Sequence, residues 1–290
     1  RDYKVTGVQT CALPIYETNA FLQVPQGSGI IAVTRINSDG LTGEIVDADI
    51  IFNGRDFRFS GPSTPKVGRV DLKDVAVHEV GHLLGLEHTP LDGPASVRPT
   101  MNPFNRGDGP GLGQTLEADD IAGISFLYPT STYPLSVGSI HGTVSDIAGN
   151  GLFGTHISAL NLDTRAQYST VSGAYEGRGG AYRLEGLPPG RYRLRLSSIE
   201  GAIDEESFGG IFTDFSTGFA DEYYDNSRDE NLAYVLEVSA GQRLDSIDFV
   251  TGFARPGYPS IEPFGLATNT PDTAGPYTIR MQAFYTDEMW

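Results

Sequence analysis

Three of the five histidines in this sequence of 290 residues fall in one window, His78-Glu79-Val80-Gly81-His82-Leu83-Leu84-Gly85-Leu86-Glu87-His88. His78 and His82 are four apart, which on a helix stacks two imidazoles one turn above each other on the same face. Two rings so placed reach one cation. Gly85 can end the helix and turn the chain, letting His88 swing back as a third ligand. Three neutral imidazoles with one position left open are the donor set of a catalytic zinc, not of a closed structural one. Glu79, one residue along, would sit beside the open position as general base toward a water that the metal acidifies. Five fixed residues at about 5% usage each coincide roughly once in 10⁴ chains of this length, so a helix with incidental surface histidines is the weaker reading.

These side chains need a helix to carry them. Asp71 is an N-cap candidate with Asp74 three residues on, and Ala76, Val77, Val80, Leu83 and Leu84 recur at helical spacing. The sequence therefore predicts a helix over 72–84, stopped at Gly85. Two strands precede it, Gly29–Ile36 and Glu44–Asn53, each bounded by Gly and Asn turn signals. A Gly/Pro/Asn-rich loop covers 89–114, and a second helix over 116–128 ends at Pro129. Residues 131–137 read as a linker. Beyond it, short strands at 138–144, 156–162, 180–184, 190–196, 234–238 and 245–250 alternate with turns, the pattern of a small antiparallel β-sandwich.

Composition narrows the function classes. Lys+Arg 20 against Asp+Glu 37 gives a net charge of −17, which argues against nucleic acid or an anionic membrane surface as partner. No apolar run approaches the ~18 residues of a membrane span. With 39% apolar residues, 36 Gly and 18 Pro, the chain reads as folded and turn-rich. Cys11 is the only cysteine, so no internal disulfide forms, and no signal peptide is visible behind Arg1. The stretch Val5–Ile15 resembles the translation of a sequencing-adapter oligonucleotide. Residues 1–16 are therefore expected to be foreign to the fold, with Cys11 outside the chemistry. At the far end, residues 253–290 read as a linker and the truncated start of a further β module, with an alternating strand over Tyr277–Phe284.

The window 78–88 contains the whole metzincin signature H-E-x-x-H-x-x-G-x-x-H, and the sequence resembles that family of zinc metalloproteases. The resemblance implies a Met-turn beneath the metal, for which Met101 stands thirteen residues past His88. Pro103, two residues after Met101, and Asp119-Asp120 in the second helix are similar to matrixins. On that resemblance, Gly29, Ile30, Ile31, Ala32, Val33 and Thr34 form the edge strand that binds substrate main chain antiparallel. Asn102, Pro103 and Phe104 line an apolar specificity pocket. The second, structural zinc of the animal matrix enzymes is not carried over, because Asp49–Asn53 lacks its histidine. Glu44, Asp47, Asp49 and Asp56 are carboxylates of the kind that hold calcium, but solvated strand-end charges are the plainer reading. Residues 138–252 resemble the carboxypeptidase regulatory-like, transthyretin-like sandwich modules, through Ile140-His141-Gly142-Thr143-Val144 and Ala181–Leu194. Such modules act as spacers or docking units. His141 and His156, within it, read as structural histidines.

The expected architecture is multidomain: an N-terminally truncated α+β metzincin-like domain over 17–130, then an all-β antiparallel sandwich. The expected activity is that of a secreted zinc endopeptidase, with one Zn²⁺ on His78, His82 and His88 and with Glu79 as base. Its partners would be polypeptide substrates, its oligomeric state is taken as monomeric, and its location is extracellular or cell-surface. Two other classes stay open, a catalytically silent adhesion or binding protein and a zinc hydrolase of small molecules. A deep closed pocket would favour the latter.

Overall fold

The computed structural model describes residues 10–15, 24–61, 67–93, 97–105, 113–174, 179–208, 213–251, 279–280 and 284–285. In the first half these form β1 (Thr10–Ile15), β2 (Ala32–Ser38), β3 (Ile45–Asn53), β4 (Phe59–Ser60), β5 (Val70–Asp71), α1 (Leu72–Leu83), β6 (Phe104–Asn105) and α2 (Ala118–Leu127). After them come α3 (Tyr133–Ser136), β7 (Gly138–Ser145), β8 (His156–Asn161), β9 (Gln167–Val171), β10 (Ala181–Leu187) and β11 (Gly190–Ser197). The chain continues through β12 (Glu222–Tyr223), β13 (Leu236–Val238), β14 (Arg243–Leu244), β15 (Phe249–Val250), β16 (Ile279–Arg280) and β17 (Phe284–Tyr285).

The first sheet has the order β1-β3-β2-β17, with β2 and β3 antiparallel through Ala32↔Phe52 to Ser38↔Ile45. Helix α1 lies against β2 by matched periodicities. Alternate strand residues are ~6.6 Å apart and helix residues four apart are ~6 Å apart, so the two rows stay in step over three successive pairs. Ala32 packs with Val75, Thr34 meets Glu79, and Ile36 packs near Leu83. The helix starts where Asp71 Oδ1 accepts the Lys73 amide at 2.8 Å, and ends at a Leu84 cap followed by Gly85 with φ +93°. Only glycine adopts that turn without strain.

The second half is a two-sheet sandwich. One sheet runs β10-β7-β14, with β15 also pairing β7, and the other runs β12-β11-β8-β9, with β13 also pairing β11. Its core holds Ile140, Ile157, Tyr182, Leu184, Leu194 and Phe249. Ala122 of α2 is buried in that same core, and Asp119 Oδ1 accepts the Ser169 amide of β9 at 2.7 Å. Helix α2 therefore faces the sandwich as well as its own half.

The structure departs from the sequence reading in several places. The first strand begins at Ala32, not Gly29: the Ile30 and Ile31 carbonyls accept from Asn53, the Ile30 amide lies 3.4 Å from Ser28 Oγ, and ladder pairing with β3 starts at Ala32↔Phe52. Residues 10–15, set aside as foreign, are described as strand β1, parallel to β3. The expected linker holds α3, with Pro134 in its first turn. Strand β9 lacks a strong turn-bounded apolar run and was not expected; its buried residues are Tyr168 and Val171. Of the expected final strand Tyr277–Phe284, 279–280 belong to β16 and 284 to β17, which pair in different sheets, and 277–278 and 281–283 lie outside the described residues. No helix among the described residues is long and apolar enough to cross a membrane.

Candidate metal centre

Helix α1 and the turn at Gly85 bring the three histidines together. The Nε2 atoms of His78 and His82 are 3.0 Å apart, those of His78 and His88 3.0 Å, and those of His82 and His88 3.1 Å. Each opposite ring nitrogen faces a backbone carbonyl: His78 Nδ1 at 2.6 Å from Thr100 O, His82 Nδ1 at 2.8 Å from Leu86 O, and His88 Nδ1 on Ser207 O. A carbonyl only accepts, so all three Nδ1 atoms carry the proton and all three Nε2 atoms point bare lone pairs at one spot. Burial holds each ring neutral, lowering His78 to about 4, His88 to about 3, and His82 well below its ordinary range.

Converging lone pairs repel unless a Lewis acid sits among them. A tetrahedral zinc with bonds of ~2.0–2.1 Å spaces its nitrogens about 3.3–3.4 Å apart, close to the spacing here. The donor set therefore fits zinc. Among the described residues this is the one cluster of histidine, cysteine and carboxylate groups close enough to share an ion. The carboxylates Glu44, Asp47, Asp49 and Asp56 form no such cluster. Asp56 instead takes a 2.8 Å ion pair from Arg55, which holds it far below its usual range. His141 is bound to Glu185 at 2.7 Å, and His156 lies near Ser197 Oγ at 3.3 Å, each away from the cluster.

Glu79 is buried on the neighbouring helix position. Thr34 Oγ1 lies 2.6 Å from Glu79 Oε2, while Glu79 Oε1 has no hydrogen-bond partner among the described residues. Burial pushes the carboxyl up to about 8, against the Thr34 hydrogen bond, which pulls it down. A dication held by the imidazoles would supply the counter-charge that burial withholds. The strand set aside for substrate thus spends one side chain, Thr34, on the carboxylate.

Met101 packs against the helix where it has no side chain: a Cβ on Gly81 would come within 2.2 Å of Met101 Sδ. The loop carrying it is fixed from below by Asp120, whose carboxylate accepts the amides of Thr100 at 2.9 Å, Met101 at 3.0 Å and Glu117 at 2.8 Å. In the sequence Asp120 stood only as one of the Asp119-Asp120 pair that resembles matrixins; what it holds needed the fold. Asn102 donates to Leu91 O at 2.8 Å and accepts from the Phe104 amide at 3.0 Å. Phe104, expected to line a pocket, is buried instead in an apolar cluster with Val171, Ile199, Ile203 and Phe208 of the sandwich.

Of the expected substrate strand, Ile30, Ile31, Ala32, Val33 and Thr34 are all buried, and Gly29 is half-buried. Apart from β3, and from β17 at Arg35 and Ile36, no strand among the described residues pairs with this segment. Strand β16 pairs antiparallel with β6 at Phe104 and Asn105.

Residues 31–129 match the family model described as Matrixin, and residues 139–207 match that of the Carboxypeptidase regulatory-like domain. A curated relative, the metalloendoproteinase 4-MMP of Arabidopsis thaliana, is 40% identical over 62 residues, 21% of this chain and 16% of that protein. The chain thus spans about a sixth of that relative's length. Among solved structures, the Bacillus anthracis TIE protein is 17% identical over 40% of this chain and 16% of its own, with a TM-score of 0.23. The dioxygenase domain of a Streptomyces sp. SirexAA-E carbohydrate-binding fusion is also 17% identical, over 43% of this chain and 85% of its own, again at 0.23. Likeness of that size carries no argument about fold or function.

Proposed function

We propose that this chain, which carries a matrixin domain at residues 31–129 and a carboxypeptidase regulatory-like domain at 139–207, is a zinc-dependent endopeptidase that works outside the cell. The observation that carries the reading is the convergence of three bare Nε2 atoms within 3.0–3.1 Å, each ring locked by a carbonyl on its far side. His78, His82 and His88 would hold the ion. Zinc, when bound, acidifies a water and polarises a peptide carbonyl. Glu79 does the proton work: Thr34 holds Oε2, leaving Oε1 to take a proton from the attacking water and return it to the leaving amine. Gly29–Thr34 aligns an extended substrate by strand addition, and Met101 with Asn102 and Pro103 forms the floor and wall of the site.

One observation favours a second reading. His78, Glu79, His82 and His88 are all 4% exposed or less, a closure that suits a small-molecule hydrolase. Cleavage of denatured casein by the zinc-loaded chain, beside Glu79→Ala, separates the two. Cleavage lost in the variant while one zinc stays bound is the expected result. One bound zinc with no cleavage by either form would overturn the proteolytic reading.

A further inference from the structure

The sandwich reaches the metal centre. His88 lies beyond the end of α1, so unlike His78 and His82 it has no helical backbone to aim its ring. Its Nδ1 partner comes from 119 residues further along, the Ser207 carbonyl in the 3₁₀ turn Glu205–Phe208. That carbonyl is itself held. The Ser207 amide donates to Asp204 O at 3.0 Å, its hydroxyl lies 3.2 Å from Asp204 Oδ1, and the residue is 3% exposed. One residue on, Phe208 is 1% exposed and packs with Ile199, Ile203 and Phe104. Phe104 sits three residues after Met101, so a polar tether and an apolar one fasten the same segment to two sides of the metal site.

We propose that Ile199–Phe208 of the sandwich is part of the metal centre, with Ser207 as the positioning residue of the third ligand. This rests on the zinc reading above. A carbonyl on Nδ1 fixes the tautomer and the ring angle and makes the ligand nitrogen more basic; loss of such a partner weakens metal binding by about 10–100-fold. The sandwich then acts as neither spacer nor docking unit.

The test uses the full chain, labelled with ¹⁵N-histidine and loaded with Zn²⁺. The expected spectrum shows a slowly exchanging His88 Nδ1 proton with a cross-peak to Ser207 or to the Phe208 amide. Phe208→Ala and Asp204→Ala should each speed that exchange, shift the His88 resonance and lower zinc affinity by about 10–100-fold in chelator competition. The His82 Nδ1 proton, held by Leu86, should stay put, and Arg243→Ala, in an exposed ion pair with Asp245, should change nothing. A zinc-loaded chain without the cross-peak would overturn the proposal, as would Phe208→Ala with unaltered affinity and His88 signal. If Phe208→Ala does not fold, the cross-peak in the unaltered chain and Asp204→Ala decide. A chain that takes up no zinc would instead overturn the reading on which this rests.

Discussion

Removing the Asp120 carboxylate should loosen the metal site from beneath. Thr100 and Met101 are 7% and 3% exposed, and Asp120 accepts both of their amides. In Asp120→Ala each of these buried N–H groups is left without an acceptor, at ~1–3 kcal/mol apiece, or about 2–6 kcal/mol together. The Glu117 amide is half-buried and recovers a water. Asp120→Asn keeps one accepting oxygen and turns an NH₂ toward the other amide, so about half the loss is expected. The damage should travel, because Thr100 supplies the carbonyl that orients His78 at 2.6 Å. Urea unfolding of the zinc-loaded chain, read at a common slope, measures the first effect. Chelator competition measures the second, expected to be about tenfold or more. An Asp120→Ala chain within 1 kcal/mol of the parent and with unaltered zinc affinity would refute this reasoning.

Gly81→Ala should drive a methyl into Met101 and cost ~1–3 kcal/mol, partly recovered in Gly81→Ala/Met101→Ala by thermal unfolding; no loss in the single variant would be inconsistent with the packing described. Thr34→Val, close in volume, should slow casein cleavage about tenfold by freeing Glu79 Oε2, with zinc stoichiometry unchanged; equal loss of zinc would point to a folding effect. Asp119 is raised by burial from 3.8 to about 7, so the folded state holds its proton more tightly than the unfolded chain. Its stabilising contribution is present below pH ~4 and lost as pH rises through 7, at most roughly 4 kcal/mol. Asp119→Asn should therefore melt higher than the parent at pH 8 and alike at pH 4; parallel Tm–pH curves would contradict this. Stripping zinc should lower Tm, since the ion binds the folded state and relieves three opposed lone pairs.

The metal centre was legible because its signal is local. Eleven consecutive residues carry the three converging histidines, Glu79 and the turn, and helical spacing alone stacks His78 over His82. Its supports were less so. Thr34 was read as substrate strand, but a strand period of two against a helix spacing of four puts it opposite Glu79, an inference that required knowing which strand lies under α1. Asp120 looks like any first-turn carboxylate until the loop folds over it. Phe104 was expected on a pocket, and an apolar side chain cannot declare whether a ligand or another module will cover it. Ser207 left no trace at all, since its contribution is a backbone carbonyl and every residue has one.

Helix α2 holds the Thr100–Met101 loop through Asp120 and the sandwich through Asp119 and Ala122, neighbours within about one turn of a single rigid rod. In mechanical terms it is a lever with a short arm. A load that tilts the sandwich has no slack linker in which to dissipate before it meets α2. It arrives within one residue at the carboxylate beneath the three histidines, so tension on the chain's second half is delivered to the Thr100–Met101 loop of the first.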